Sequence, residues 1–349
     1  MAKNSKLKGS GLRKWLFIFF SILKSGKYAA YYVIWVKFLQ WLLWPLDVVF
    51  ALTERFCCRG QPTKDLPVVF VVGIQRTGST IVSQFLAETF PLFPIGNFST
   101  LFHRASYLPY RLFSRFRQRG RKKCYRNYYG ISPGMFAIGD AYEYWDPWLG
   151  RDHYRLPDLP DEQQAHRLAR HLSNIHRACG QPLITKNNRN SLMIRFFYRL
   201  FPHAFFVVVE RTPLHVIRST VKASQDFFGK GRYLWGLMPQ ADFDPGRYEN
   251  LQEAATVQYL ELEKMIHRQL DDLPHDAYIR IDYDDFCRNP RRVQQDIFKR
   301  LKDKYNLSQE QVSFRDTPFA VSKRLDNTPL DNQIRSCLRK WNDRSHKPI

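Results

Sequence analysis

The stretch from Val68 to Leu86 constrains the fold more than any other part of the chain. Val68 to Val72 is an unbroken β-branched and aromatic run, the pattern of a strand buried on both faces. It passes directly into Gly73-Ile74-Gln75-Arg76-Thr77-Gly78-Ser79-Thr80, and then into a helical spacing that puts Ile81, Val82, Phe85 and Leu86 on one face. Strand, glycine-containing turn and helix together aim backbone N–H groups and the positive end of a helix dipole at a phosphate or sulfate. The hydroxyls of Thr77, Ser79 and Thr80 add donors to that turn. The spacing imitates a Walker A loop, but Ser79 stands where the lysine belongs, which disfavours a nucleoside triphosphatase and leaves Arg76 as the loop cation.

Two further strands end in cations. Ala204 to Glu210 is a second buried run, followed by Arg211-Thr212-Pro213 and a helix opening near His215 that carries Arg218 and Ser219. A strand-end arginine lies at the carboxyl edge of a parallel sheet, where α/β folds bind ligands. A guanidinium with a nearby hydroxyl suits a phosphate monoester. Leu183 to Lys186 reads as a short third strand ending in lysine, with Asn187 and Asn188 behind it, and Tyr278 to Ile281 reads as a fourth. Helices are expected from about Asp161 to Cys179, from Asn250 to Leu270 and from Pro290 to Leu301. The fold class is therefore α/β, a parallel sheet flanked by helices.

Four pieces in this order carry a family resemblance: the Arg-Thr-Gly-Ser-Thr loop, the Lys186 turn, RLFPHAFFVVVERTP with Ser219 downstream, and YIRIDYDDFCRNP at residues 278 to 290. Together they resemble the sulfotransferases that use 3′-phosphoadenosine-5′-phosphosulfate (PAPS), and most of all the branch containing tyrosylprotein and other membrane-associated sulfotransferases. The resemblance covers roughly residues 67 to 302. It implies a P-loop-like sulfotransferase fold in which Arg76, Thr77, Gly78, Ser79 and Thr80 hold the 5′-phosphosulfate and Arg211 with Ser219 hold the 3′-phosphate. Lys186 matches a family lysine beside the transferred sulfuryl group. Three positions depart from the pattern: Thr212 replaces an acid, Asn188 replaces a proline, and Asn97 replaces the glutamate that would act as general base.

An amide cannot take the acceptor's proton, so the base must be another group. His103 follows Asn97 by six residues, and a neutral imidazole has a suitable pKa. Glu143, within GDAYEYWDPW, sits among Tyr142, Tyr144, Trp145 and Trp148, an aromatic neighbourhood expected to desolvate a carboxylate and to serve as an acceptor platform. Glu143 is favoured over His103, with His153 and Asp140 behind them. Residues 127 to 180 form the expected acceptor-side insertion within a sulfotransferase domain spanning 65 to 349.

The chain of 349 residues has a formal charge of +22, and the excess is regional. Residues 1 to 64 hold eleven Lys and Arg against two acids, and residues 104 to 126 hold nine with no acid, so +18 lies in these two segments. In residues 1 to 64 the apolar stretch Trp15 to Leu23 is too short to cross a bilayer, whereas Tyr28 to Leu52 is long enough. Lys37, Gln40 and Asp47 form a narrow polar stripe on the second stretch, and Tyr28, Tyr31, Tyr32, Trp35, Trp41 and Trp44 are residues of the membrane interface. Three arrangements fit: a helix lying in the interface, a span whose polar line faces protein, or a hairpin packed on the catalytic domain. The expected location is membrane-associated, as a Golgi-type single-pass protein or at a bacterial inner membrane, with Cys57 and Cys58 as candidate lipidation sites. The basic insertion, with Tyr110, Phe113, Phe116 and Tyr125 interleaved, fits an anionic membrane surface better than nucleic acid, since no nucleic-acid-binding motif accompanies it.

The six cysteines show neither a CxxC pair nor zinc spacing, and no metal is expected. The function that the resemblance implies is transfer of a sulfuryl group from PAPS to a hydroxyl of a glycan, lipid or tyrosine. The alternatives are a P-loop nucleotide kinase, opposed by the missing lysine, and a non-catalytic membrane adaptor on a degenerate sulfotransferase fold.

Overall fold

The computed structural model describes residues 28–57, 60–117, 125, 132–229, 231, 233–319 and 328–345. The Trp15 to Leu23 stretch, Cys58, most of the basic insertion beyond Arg117, and the tail residues Lys323 and Arg324 lie outside the described residues.

After a long first helix, α1 (Tyr28–Cys57), the chain alternates strands and helices. The strands are β1 (Val68–Val72), β2 (Phe93–Ile95), β3 (Leu183–Lys186), β4 (Phe205–Glu210) and β5 (Tyr278–Asp282). They form one sheet in the order β2-β3-β1-β4-β5, and every pairing is parallel. The central strand β1 thus lies between β3 and β4, the two strands whose ends carry Lys186 and Arg211.

Period-two alternation divides the strand side chains between two cores. Val68, Phe70 and Val72 pack on one face with Phe206, Phe197 and Trp145. Val69 and Val71 point the other way, to Phe205, Val82, Phe85 and Phe286. Both faces are covered by helices, as the unbroken apolar runs require.

The helices that bear on the site are α2 (Ser79–Thr89), α3 (Asn97–Leu101), α4 (Leu108–Phe113), α5 (Tyr142–Leu149) and α6 (Glu162–Cys179). They continue with α7 (Ile194–Leu200), α8 (Pro213–Phe228), α9 (Leu251–Leu270), α10 (Tyr283–Arg288), α11 (Pro290–Tyr305) and α12 (Pro329–Ser345). Asp161 caps α6 and Asn250 caps α9, each accepting a backbone N–H of the first turn. Four strands were expected, and β2 is the fifth. Its three residues include Pro94, which cannot donate to a ladder, so it sits at the sheet edge and leaves no periodic signal.

Helix α1 includes a segment, Ile34–Phe56, long and apolar enough to cross a membrane by length and composition. Its polar stripe faces protein. Gln40 Nε2 donates to Thr100 O, while Asp47, fully buried, accepts the backbone N–H groups of Arg104 and Ala105. Two turns further, Glu54 accepts from the N–H groups of Ser106, Tyr107 and Leu108 and from the Ser106 hydroxyl. Val36 is buried in the main core, and Tyr32, Leu39, Leu43 and Phe50 pack against it. From Lys37 to Glu54 the helix is fastened to the body over about 25 Å of its axis.

The aromatics of the basic insertion do not form one exposed face. Tyr110 is fully buried against Phe93 and Phe98, Phe113 packs on Phe102, and Tyr125 packs on Phe319. Phe116 is exposed.

Candidate active site

The loop after β1 turns through two left-handed residues, Arg76 at φ 73° and Gly78 at φ 98°. Gly78 is required twice over: its conformation disfavours a side chain, and a Cβ there would lie 2.2 Å from the Tyr283 ring. Thr77 shapes the turn from inside, its hydroxyl donating to Ile74 O at 2.8 Å. Its hydroxyl is thus committed to the loop. Helix α2 starts at Ser79, and because Ile81 and Val82 N–H already bond to Gly78 O, the N–H groups of Ser79 and Thr80 are the ones left at the helix N-terminus, at the carboxyl edge of the sheet. Ser191, in the turn after β3, holds the loop's first glycine from both sides: its Oγ accepts from Gly73 N–H at 2.9 Å and donates to Gly73 O at 3.0 Å.

The strand-end motif of β4 meets this loop. Arg76 Nε donates to Ser219 Oγ at 2.8 Å, joining residues that are 143 apart in the chain. Having accepted that bond, the serine hydroxyl keeps its own hydrogen to donate. Arg211 Nη1 lies 3.4 Å from Arg76 O, and its guanidinium sits 4.8 Å from the Tyr283 ring centroid and 3.7 Å from Asp284 Oδ1. Trp235 stacks over the other arginine, its ring centroid 5.6 Å from Arg76 Cζ. Arg76, Gly78, Arg211 and Ser219 thus come together.

Lys186, at the end of β3, is buried, and its Nζ lies 2.8 Å from Oδ1 of Asp140, also buried. The Asn187 amide donates to Asp140 O, and Arg189, another buried cation, anchors α5 through Asp146 Oδ1 at 3.0 Å and the Leu149 carbonyl. The β3 turn and the start of α5 are therefore fastened by two charged pairs.

Asn97 has a structural explanation. Its Nδ2 donates to the carbonyl oxygens of Ser132 and Gly134, each at 2.8 Å, and its N–H donates to Ala137 O. A bridge between Gly96 and Ile138 closes the same contact. The amide pins the segment that delivers Asp140 to Lys186, a task a glutamate could not perform because it has no hydrogen to donate.

His103 and Glu143 line one cavity, between α1 and the body. The His103 Nδ1 lies 3.3 Å from Thr100 O and 3.8 Å from Asp47 Oδ2. A carbonyl only accepts, so Nδ1 carries the hydrogen and Nε2 presents the lone pair. Burial, helped by the Arg104 charge, holds the imidazole pKa below its ordinary value of 6.5. Glu143 is ion-paired with Lys37 of α1. His153 is placed elsewhere in the network, 2.8 Å from Asp146 and stacked on Tyr142.

Sequence reasoning ranked Asp140 low and passed over Arg189, Ser191, Trp235 and Tyr283. Tyr283 lies inside the quoted YIRIDYDDF motif, and Asp140 lies just before the favoured Glu143. Nothing in the sequence signals that Ser191 grips Gly73, because the contact spans 118 residues.

A parallel α/β sheet with a lysine-free phosphate-type loop, joined to a strand-end arginine and serine, is a P-loop-like fold that gathers cations and hydroxyls at one edge of the sheet. The sequence matches the sulfotransferase family over residues 67–306, more than half of the chain, and the protein belongs to that family. No curated protein sequence matches it. Among solved structures, the chain is similar to sulfotransferase STF9 from Mycobacterium avium, with 13% identity, a TM-score of 0.46, and coverage of 82% of this chain and 70% of that one. It is also similar to a sulfotransferase from Alicyclobacillus acidocaldarius, with 13% identity, a TM-score of 0.40, and coverage of 81% and 97%.

Proposed function

We propose that the protein transfers a sulfuryl group from PAPS to a hydroxyl acceptor. The observation that carries this reading is the Arg76–Ser219 contact, which joins the loop to the second anion motif in a chain of the sulfotransferase family. The donor set suits the co-substrate: loop N–H groups and Arg76 for the 5′-phosphosulfate, Arg211 and Ser219 for the 3′-phosphate, and Lys186 beside the transferred group. In the reaction the acceptor oxygen bonds to sulfur, the sulfur–oxygen bond to phosphate breaks, and the electron pair stays on the phosphate. Lys186 and the loop donors stabilise that developing charge, a contribution of a few kcal/mol per donor in comparable sites.

His103 Nε2 takes the acceptor's proton, supported by Thr100 O and Asp47 on the opposite nitrogen. Glu143, favoured from sequence, holds Lys37 instead and is the second candidate. The protein sits at a membrane surface with α1 lying along the body, its polar stripe docked and Trp35, Phe38 and Phe56 turned outward. Transfer of labelled sulfate from PAPS, together with calorimetric binding of 3′-phosphoadenosine-5′-phosphate, tests the reading. A protein that binds no such nucleotide and transfers no label would refute it.

A further inference from the structure

A cavity of about 1590 Å³ lies between α1, the segment 103–106, α5 and α6. It exceeds the range of roughly 300–1,000 Å³ usual for small-molecule sites. Its walls are chemically distinct. Helix α1 contributes Trp41, Trp44, Val48 and Leu52, an apolar stretch flanked by the polar Lys37, Gln40, Glu54 and Arg55. Helix α6 contributes Arg167, Arg170, His171 and Asn174, whose spacing of three, four and seven residues sets them on one helical face.

We propose that this cavity receives the acceptor, and that the acceptor is a membrane amphiphile whose head carries both a hydroxyl and an anionic group. The inference rests on the sulfotransferase reading and names its substrate class. Three observations support it. First, Arg55 and Arg151 join the two α6 arginines at the cavity, and none of the four pairs with a carboxylate among the described residues. Such a cluster matches an anionic head. The buried Nε2 of His171 on the same face likewise has no hydrogen-bond partner among the described residues.

Second, the apolar wall continues to the outside. Trp41 lines the cavity yet is 74% exposed, and Trp44 and Leu52 share this double placement. The cavity and the outward apolar face of α1 are thus one surface, a route by which an acyl or prenyl chain stays in apolar surroundings while its head enters. Third, the head would arrive at the chemistry. His103 and Glu143 line the cavity, and Asp140, three residues before Glu143, holds Lys186. The head hydroxyl then bonds to the donor sulfur, the phosphate leaves with its electron pair beside Lys186, and the proton passes to His103.

The test offers PAPS with labelled sulfate to the full-length protein, in two parallel arms. One acceptor pool is the polar-lipid extract of cells that express the protein, the other their water-soluble fraction. Label in the organic phase is expected, at least 10-fold above the aqueous arm. The double variant Arg167→Glu/Arg170→Glu, changed at exposed positions, is expected to lower organic-phase transfer about 10-fold while calorimetric binding of 3′-phosphoadenosine-5′-phosphate is unchanged. Label confined to water-soluble products, or a lipid transfer rate indifferent to the double variant, overturns the amphiphile proposal and leaves the sulfotransferase reading intact. Nucleotide binding without transfer in either arm also overturns it. Absence of both nucleotide binding and transfer overturns the reading on which it rests.

Discussion

Lys186 and Asp140 form a buried ion pair, 2.8 Å from Nζ to Oδ1, at the carboxyl end of β3. Both charges are taken out of water, so each depends on the other, and removing one partner of such a pair costs about 3–5 kcal/mol. Lys186→Met and Asp140→Ala are each expected to lower unfolding free energy by about that amount, measured by urea denaturation. The double variant Lys186→Met/Asp140→Leu should recover much of the loss, because no buried charge remains, yet should not recover sulfate transfer. Recovery of transfer in the double variant would show that Lys186 does not stabilise the leaving phosphate.

The bond from Arg76 to Ser219 leads to a prediction about affinity. Ser219→Ala removes an acceptor for a charged donor and one hydroxyl donor to ligand, a change of about 1.5–3 kcal/mol for bonds of this kind. Binding of 3′-phosphoadenosine-5′-phosphate, followed by calorimetry, should weaken about 10-fold or more. Unfolding free energy should change far less, since the serine lies outside both cores.

The parts legible in the sequence are those where local pattern and tertiary placement agree. The apolar run Val68 to Val72, the glycine turn and the amphipathic helix behind it are short-range signals, and β1, the loop and α2 follow them. Arg211 and Lys186 could be placed at strand ends because parallel sheets put strand ends on one edge. What could not be read depends on contacts between distant segments. Asn97 looks like a lost base until its amide is seen holding Ser132 and Gly134. The stripe on α1 leaves its partner open until Asp47 and Glu54 are found capping the backbone of residues 104–108.

Glu54 accepts four hydrogen bonds from Ser106, Tyr107 and Leu108, so α1 is attached through a carboxylate as well as through its apolar residues. Glu54→Ala leaves those buried donors without their acceptor. It should lower stability by about 3 kcal/mol and open the α1 attachment to limited proteolysis. Trp35→Ala, at a side chain 51% exposed, should leave the thermal midpoint unchanged and weaken flotation with anionic vesicles. Equal flotation of the Trp35 variant and the parent would count against lipid contact by this face.

The choice between His103 and Glu143 as base can be read from a pH profile. The His103 pKa is held below 6.5, first by burial and then by Arg104, so the imidazole is neutral and able to accept a proton at neutral pH. As pH falls through that pKa the neutral fraction shrinks, and kcat should decline along an acid limb beginning below pH 6.5. The same shift makes unfolded chains take up the proton first, so this residue's contribution to stability is also lost as pH drops through that window. His103→Gln should reduce kcat by about 10²–10⁴ and remove the limb, with nucleotide binding retained. Glu143→Gln should keep the limb, because its carboxylate is engaged with Lys37. A limb that survives His103→Gln and vanishes in Glu143→Gln would assign proton transfer to Glu143.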